Sequence, residues 1–207
     1  MSRAAVGLHA HSGWAAAVTL GGEAAAPVLL DRRRLALADD AAPRPVQPYH
    51  ASEGLPPAKA ERIVGHAIEQ AQRFGERGLR ALAGDLLSRG HEIESCAVIS
   101  GSGRTLPGLE SVLASHALIH AAEGEMFRDA LRHAGRRAGI SVLGVKKKEL
   151  SRVAVEVLGI SEARLKLRLG ALGRAAGPPW AEDQRLAALA AWIALAPGNK
   201  RGRQGHP

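Results

Sequence analysis

The stretch Ser115 to Ala134, SHALIHAAEGEMFRDALRHA, constrains this chain most, because it joins clear helical periodicity to polar residues in unexpected places. At about 100° per residue, Leu109, Val112, Leu113, Phe127, Ala130 and Leu131 fall in one angular sector, with Glu125, Arg128, Asp129 and Arg132 opposite. That pattern predicts an amphipathic helix with one side toward the core. His116, His120 and Glu123, spaced i, i+4 and i+7, stand inside the apolar sector. Polar groups that point inward need partners or a purpose. The three are therefore expected to be buried and joined to one another by hydrogen bonds or a metal.

The rest of the chain says what this helix lies in. Ala4 to His9, Trp14 to Leu20 and Val28 to Leu37 read as short strands separated by HSG and GGEAAAP, spacings that predict an antiparallel meander. Asp39 to Pro57, rich in proline, predicts an irregular surface excursion that could cover a site. Helix formers dominate from Ala58 to Gly90, with Gly75 and Gly78 expected to bend or split the helix. Ile93 to Ser100 reads as a strand, the central helix begins near Pro107, and Ile140 to Val145 is another strand. Strand, helix, strand in this order predicts parallel pairing with right-handed crossovers. Lys147 to Leu158 and Ser161 to Ala175 read as two helices stopped at Gly159, and Trp180 to Ala196 as a last helix after Gly177, Pro178 and Pro179. The expected fold class is α/β, a mixed five-stranded sheet of a three-strand antiparallel meander plus two parallel strands, with flanking helices. Residues 1–197 are expected to form one domain, with a long surface loop at 39–57, a helical insertion at 146–176 and a basic disordered tail at 198–207.

At 207 residues and 46% hydrophobic, the chain has material for a substantial core and is not a disordered polymer. Its single cysteine, Cys96 in the strand-like SCAVIS, excludes an internal disulfide and a thiolate zinc knuckle. No apolar run approaches the roughly 18 residues of a membrane span, and the N-terminal residues lack the longer apolar region of a signal peptide. The expected setting is cytoplasmic, with no membrane partner. The net charge of +8 is uneven: residues 141–207 hold 12 Lys+Arg against 5 Asp+Glu. Such asymmetry points to an anionic partner, and nucleic acid is the commonest.

The order of elements resembles the ribonuclease H-like superfamily over most of the chain. In detail it is nearest to the RuvC-type Holliday-junction resolvases: AAVGLHAHSGWAAAVTL looks like their first hairpin, and AEDQRLAALAAWIAL like their last helix, which carries a metal-binding acid. HSGW, YHA, SHALIHAAEGE and PPW also look like features of an uncharacterised bacterial protein family. The resemblance implies a protein that binds or processes nucleic acid. In the resolvases the first strand presents an aspartate where this sequence has His9, and a glutamate is expected near the fourth strand where it has Ser100 and Ser102. The last acid is matched by Asp183 or Glu182. Missing acids imply loss of standard two-metal nuclease activity.

Several groups could carry chemistry. Imidazoles at i and i+4 on a helix, His116 and His120, converge closely enough to share one divalent cation, with Glu123 one turn on as a third ligand or a base. The same three fit a hydrogen-bonded core cluster. His9 and His11 alternate along a strand and so share a face, from which they could add ligands or simply flank a turn. Ser100, Ser102, Gly103 and Arg104, between a strand and a helix, suit an anion or a plain tight turn. Glu182 and Asp183 lie in a first helical turn, where carboxylates also serve the helix dipole. Lys146, Lys147, Lys148, Arg164, Lys166 and Arg168 are the candidate phosphate contacts. One reading joins His9, His11, His116, His120, Glu123 and Asp183 in a single polar cleft, with Glu123 and Asp183 as catalytic groups. Its rivals are a non-catalytic scaffold of the same fold and a mono-metal hydrolase built on the central helix.

Overall fold

The computed structural model describes residues 1–39, 47–101 and 105–197. Strands β1 (Ser2–His11), β2 (Trp14–Glu23), β3 (Ala26–Ala36), β4 (His91–Ser100) and β5 (Ser141–Lys146) form one sheet ordered β3-β2-β1-β4-β5. β1 pairs antiparallel with β2, and β2 with β3, so the meander is present. β1 pairs in parallel with β4, Leu8 opposite Val98, and β4 with β5, Val98 opposite Gly144. This is the mixed sheet that the alternating segments predict. Both faces of β1 and β4 are covered by helices, which is why AAVGL and SCAVIS read as unbroken apolar runs rather than as alternating ones.

Alternate residues of β1 feed two cores. Val6 and Leu8 pack with Leu79, Leu82 and Leu86 of α1 (Pro57–Ser88) and with Phe127, Ala130 and Leu131 of α3 (His116–Arg137). Ala5 faces the other way, with Val18, Leu20, Ala97 and Ile99, toward Ala187 to Leu195 of α6 (Glu182–Leu195). α4 (Leu150–Leu158) and α5 (Glu162–Ala176) add Leu150, Ala154, Leu165 and Leu172 to that second core. α6 therefore lies between the sheet and the outer helices, so it buries nine consecutive residues and has no polar stripe in AALAAWIAL. Its far end is held by Trp192 Nε1, which donates to the Ala24 carbonyl at 2.7 Å, and by Ser95 Oγ, which donates to the Ala194 carbonyl at 2.9 Å.

Three local expectations are corrected. Gly75 and Gly78 do not break α1, which runs on through both; a Cβ at Gly75 would lie 3.3 Å from the Ala130 carbonyl, so the missing side chain serves helix-to-helix approach. The central helix is interrupted: α2 (Leu109–Leu113) stops, and Ser115 turns extended at φ −139° and ψ 113° before α3 starts. The proline-rich excursion is not wholly irregular, because His50–Ser52 forms a 3-10 turn and Ser52 is buried. The basic tail at 198–207 lies outside the described residues. Among the described residues no helix is long and apolar enough to cross a membrane.

The contact between β1 and α6 at Gly7 is the closest glycine contact among the described residues. A Cβ on Gly7 would fall inside the Ala187 carbonyl oxygen and against the Ala191 nitrogen, both backbone atoms that cannot swing away. Gly7→Ala should cost about 3 kcal/mol or more, the upper part of the range for overpacking. Gly84→Ala, on an open face of α1 with nothing within 4 Å, should raise stability by about 0.5–1 kcal/mol. Urea unfolding midpoints of the two variants check both signs.

Candidate functional site

Asp183, Ala187 and Ala191 recur every four residues and form one stripe along α6. Their spacing of about 6 Å per four residues nearly equals the roughly 6.6 Å per two residues of a strand. β1 runs beneath in the opposite sense, so Gly7 lies under Ala187 and Ala191 while His9 and His11 meet Asp183. A single carboxylate oxygen receives both rings: Asp183 Oδ1 is 3.0 Å from His9 Nδ1 and 2.9 Å from His11 Nε2. The His11 ring stacks on Trp14 at 4.4 Å and 13°, and the Arg34 guanidinium carbon lies 4.6 Å from the same indole. Beside them Lys147 Nζ is 3.0 Å from Glu182 Oε1 and holds that exposed carboxyl below its ordinary range. Burial, and then the neighbouring His11, hold the His9 ring below its ordinary value against the pull of Asp183.

A second group gathers on α3. His116 Nε2 and His120 Nε2 are 3.1 Å apart, and His50, from the 3-10 turn, brings a third ring whose centroid is 5.4 Å and 4.6 Å from theirs. Glu123 is buried and does not touch these two histidines as the helical spacing suggested. Its Oε1 instead accepts from the Tyr49 N–H at 2.8 Å and the His50 N–H at 3.1 Å, with His50 Nδ1 at 3.3 Å. Burial raises the Glu123 carboxyl above its ordinary value.

His116 and His120 are exposed, contrary to expectation. Their angular phase matches that of Phe127 and Leu131, but they occupy the first two turns of α3, where Ile119 and Ala122 pack with Val112 in a small cluster separate from the sheet core. A helical projection gives direction and not axial depth. α3 and α6 cover opposite faces of the sheet, so the six polar residues do not share one cleft. His9, His11 and Asp183 gather on one side, while His116, His120 and Glu123 lie on the other, where His50 joins the two histidines; the donor atoms of His9, His11 and Asp183, and those of His50, His116 and His120, lie within 4.8 Å of one another. Sequence reasoning missed His50 as a member, since a loop residue carries no periodic signal.

Of the proposed anion loop, Ser102, Gly103 and Arg104 lie outside the described residues. Ser100 Oγ accepts from Arg132 at 3.0 Å, and that guanidinium also binds Glu125 and Asp129, so the hydroxyl belongs to a network tying α3 to the end of β4. The basic residues also divide. Lys146 ends β5 and pairs with Glu149 at 3.8 Å, Lys147 and Lys148 follow it, and Lys147 lies by Glu182 and His9. Arg164 and Arg168 line a cleft with Ala24 and Trp192, nine helical residues further along α6 and so about 14 Å away. Lys166 pairs with Glu162 at 3.2 Å within α5.

No protein-family model and no curated protein matches this chain. Solved structures do. T. thermophilus RuvC in complex with Holliday junction substrate is similar over 92% of this chain and 91% of that one, with 13% identity and a TM-score of 0.53. The Thermus thermophilus RuvC structure covers 92% of each chain at 12% identity and a TM-score of 0.48. This chain has the ribonuclease H-like fold. The two-cation chemistry that the resolvase resemblance implies needs carboxylates clustered around cations about 4 Å apart. At the junction of β1 and α6 the ribonuclease H-like fold here supplies two imidazoles and one carboxylate, while Glu182 is exposed and held by Lys147. Magnesium favours oxygen ligands, so this donor set does not fit a magnesium pair.

Two measurements test the electrostatics of both groups. Glu123→Ala removes the acceptor for two backbone N–H groups and should cost about 1–3 kcal/mol in denaturant unfolding. The pH profile should have two limbs. His9 is depressed, so the unfolded chain takes up its proton first and stability falls as pH drops through about 6.5. Glu123 is raised, so ionisation is disfavoured in the native state and stability falls as pH climbs above about 4.5. His9→Gln should flatten the first limb and Glu123→Gln the second; unchanged profiles would refute these assignments.

Proposed function

We propose that this chain binds nucleic acid along the edge where β1, β4 and β5 end, without two-magnesium phosphodiester cleavage. One observation carries the reading: the His9, His11 and Asp183 group lies on that edge with Lys147 beside it, and Lys146 and Lys148 flank Lys147 in the chain at the end of β5. A neighbour of the same fold solved with a Holliday junction substrate supports a nucleic-acid partner. Phosphates approaching the edge meet ammonium groups and two imidazole rings, and ordered contacts would release counterions. Repulsion at the edge is limited because the Glu182 carboxylate is already paired with Lys147 and Asp183 with both histidines.

The same hydrogen bonds favour a second reading. Asp183 Oδ1 is satisfied by two rings, as in a scaffold whose polar groups only join β1 to α6.

Anisotropy titrations of duplex and junction DNA at several salt concentrations separate the two readings. Affinity should fall steeply with salt and depend little on sequence, and Lys146→Ala with Lys148→Ala should lower the log–log salt slope by about 2, roughly one per phosphate contact. No cleavage should accompany binding in magnesium. Rapid cleavage abolished by Asp183→Asn would overturn the non-nuclease part; no binding at low salt would overturn the nucleic-acid part and leave the scaffold.

A further inference from the structure

We propose that His50, His116 and His120 form a binding site for a zinc-class divalent cation, with Glu123 as the residue that positions His50. The site is separate from the nucleic-acid edge, being on the opposite face of the sheet, so either proposal can fail without the other.

The geometry is that of a tripod. Two imidazole nitrogens bound to a tetrahedral zinc at about 2.0–2.1 Å lie roughly 3.3 Å from each other, and His116 Nε2 and His120 Nε2 are 3.1 Å apart. The three rings meet edge to face, at 82°, 67° and 84°, so no pair stacks and their nitrogens can aim at a common point. Packing does not explain the convergence, because His116 and His120 are exposed. Nor is one hydrogen bond between exposed rings, at about 1 kcal/mol, enough to order both side chains.

Glu123 supplies the independent observation. Its buried carboxylate takes the His50 ring by Nδ1 and the same residue by its backbone N–H, which leaves His50 Nε2 as the free donor. A carboxylate on the second nitrogen of an imidazole fixes the tautomer and raises ligand basicity, as it commonly does around bound metals. Glu123 Oε2 is buried with no hydrogen-bond partner among the described residues, so a nearby cation would offset the cost of that burial. An all-nitrogen set selects zinc-class ions over magnesium and calcium. Three protein ligands leave a fourth position for water, on the side where His116 and His120 are open to solvent. Bound metal would also fasten the segment before α1 to the start of α3, far apart in sequence.

The test uses full-length, metal-stripped protein carrying His9→Ala and His11→Ala, which silences the other histidine group. Calorimetric titration with zinc chloride should give one ion per chain, little affected by excess magnesium, and cobalt(II) should give the intense visible absorption of a tetrahedral site. Adding His116→Ala or His120→Ala, both at exposed positions that leave the fold intact by circular dichroism, should abolish both signals. Glu123→Gln should weaken zinc by about 10–100-fold, the usual effect of losing such a carboxylate. No zinc binding, or binding that survives His116→Ala with His120→Ala, overturns the proposal.

Discussion

The close approach of α6 to β1 is the contact on which the rest of the structure depends. Gly7 leaves no side chain between them, and Ala187 and Ala191 bring the helix backbone down onto the strand. Because four helical residues and two strand residues advance by nearly the same length, the register set at Gly7 carries along the contact and delivers Asp183 to His9 and His11. A larger residue at position 7 would lift the helix, and the carboxylate would leave the imidazoles with it. The polar group at the sheet edge is thus a product of apolar packing two strand residues away.

That register decides which side chains meet at the edge of this ribonuclease H-like fold. Position 9 on β1 and the first turn of α6 are brought together whatever side chains they bear. With imidazoles on the strand and one shared carboxylate oxygen on the helix, the edge has polarity and an adjacent lysine but not the oxygen-rich surroundings that hard divalent cations need. The second histidine group owes nothing to this register. It depends on the first turns of α3, which pack outside the sheet core, and on Glu123, which draws the 3-10 turn carrying His50 against the helix.

Much of the fold was legible because its signals are periodic and local. Strand β1, both parallel crossovers and α6 are visible in alternation, apolar runs and turn residues, and the pairing of β1 with β4 follows from their order. Longitudinal facts were not. The break at Ser115 sits between two segments of compatible phase, and nothing in the angular pattern says that His116 and His120 lie outside the sheet core. Gly75 reads as a helix breaker locally, whereas the approach of α3 makes it a packing residue. The partnership of His9, His11 and Asp183 could be suspected from strand alternation and the resolvase resemblance. That of His50 with His116 and His120 depends on a loop whose course is set by a buried carboxylate in another element.

The β1 and α6 junction holds two imidazoles around one carboxylate oxygen, a donor set that does not fit two hard cations. Crystals soaked in manganese and, separately, in zinc test it most directly, read by anomalous scattering at each metal's absorption edge. No pair of manganese ions is expected at Asp183 and Glu182, and zinc, wherever it binds, is expected on histidine nitrogens. Two manganese peaks about 4 Å apart at Asp183 would contradict it.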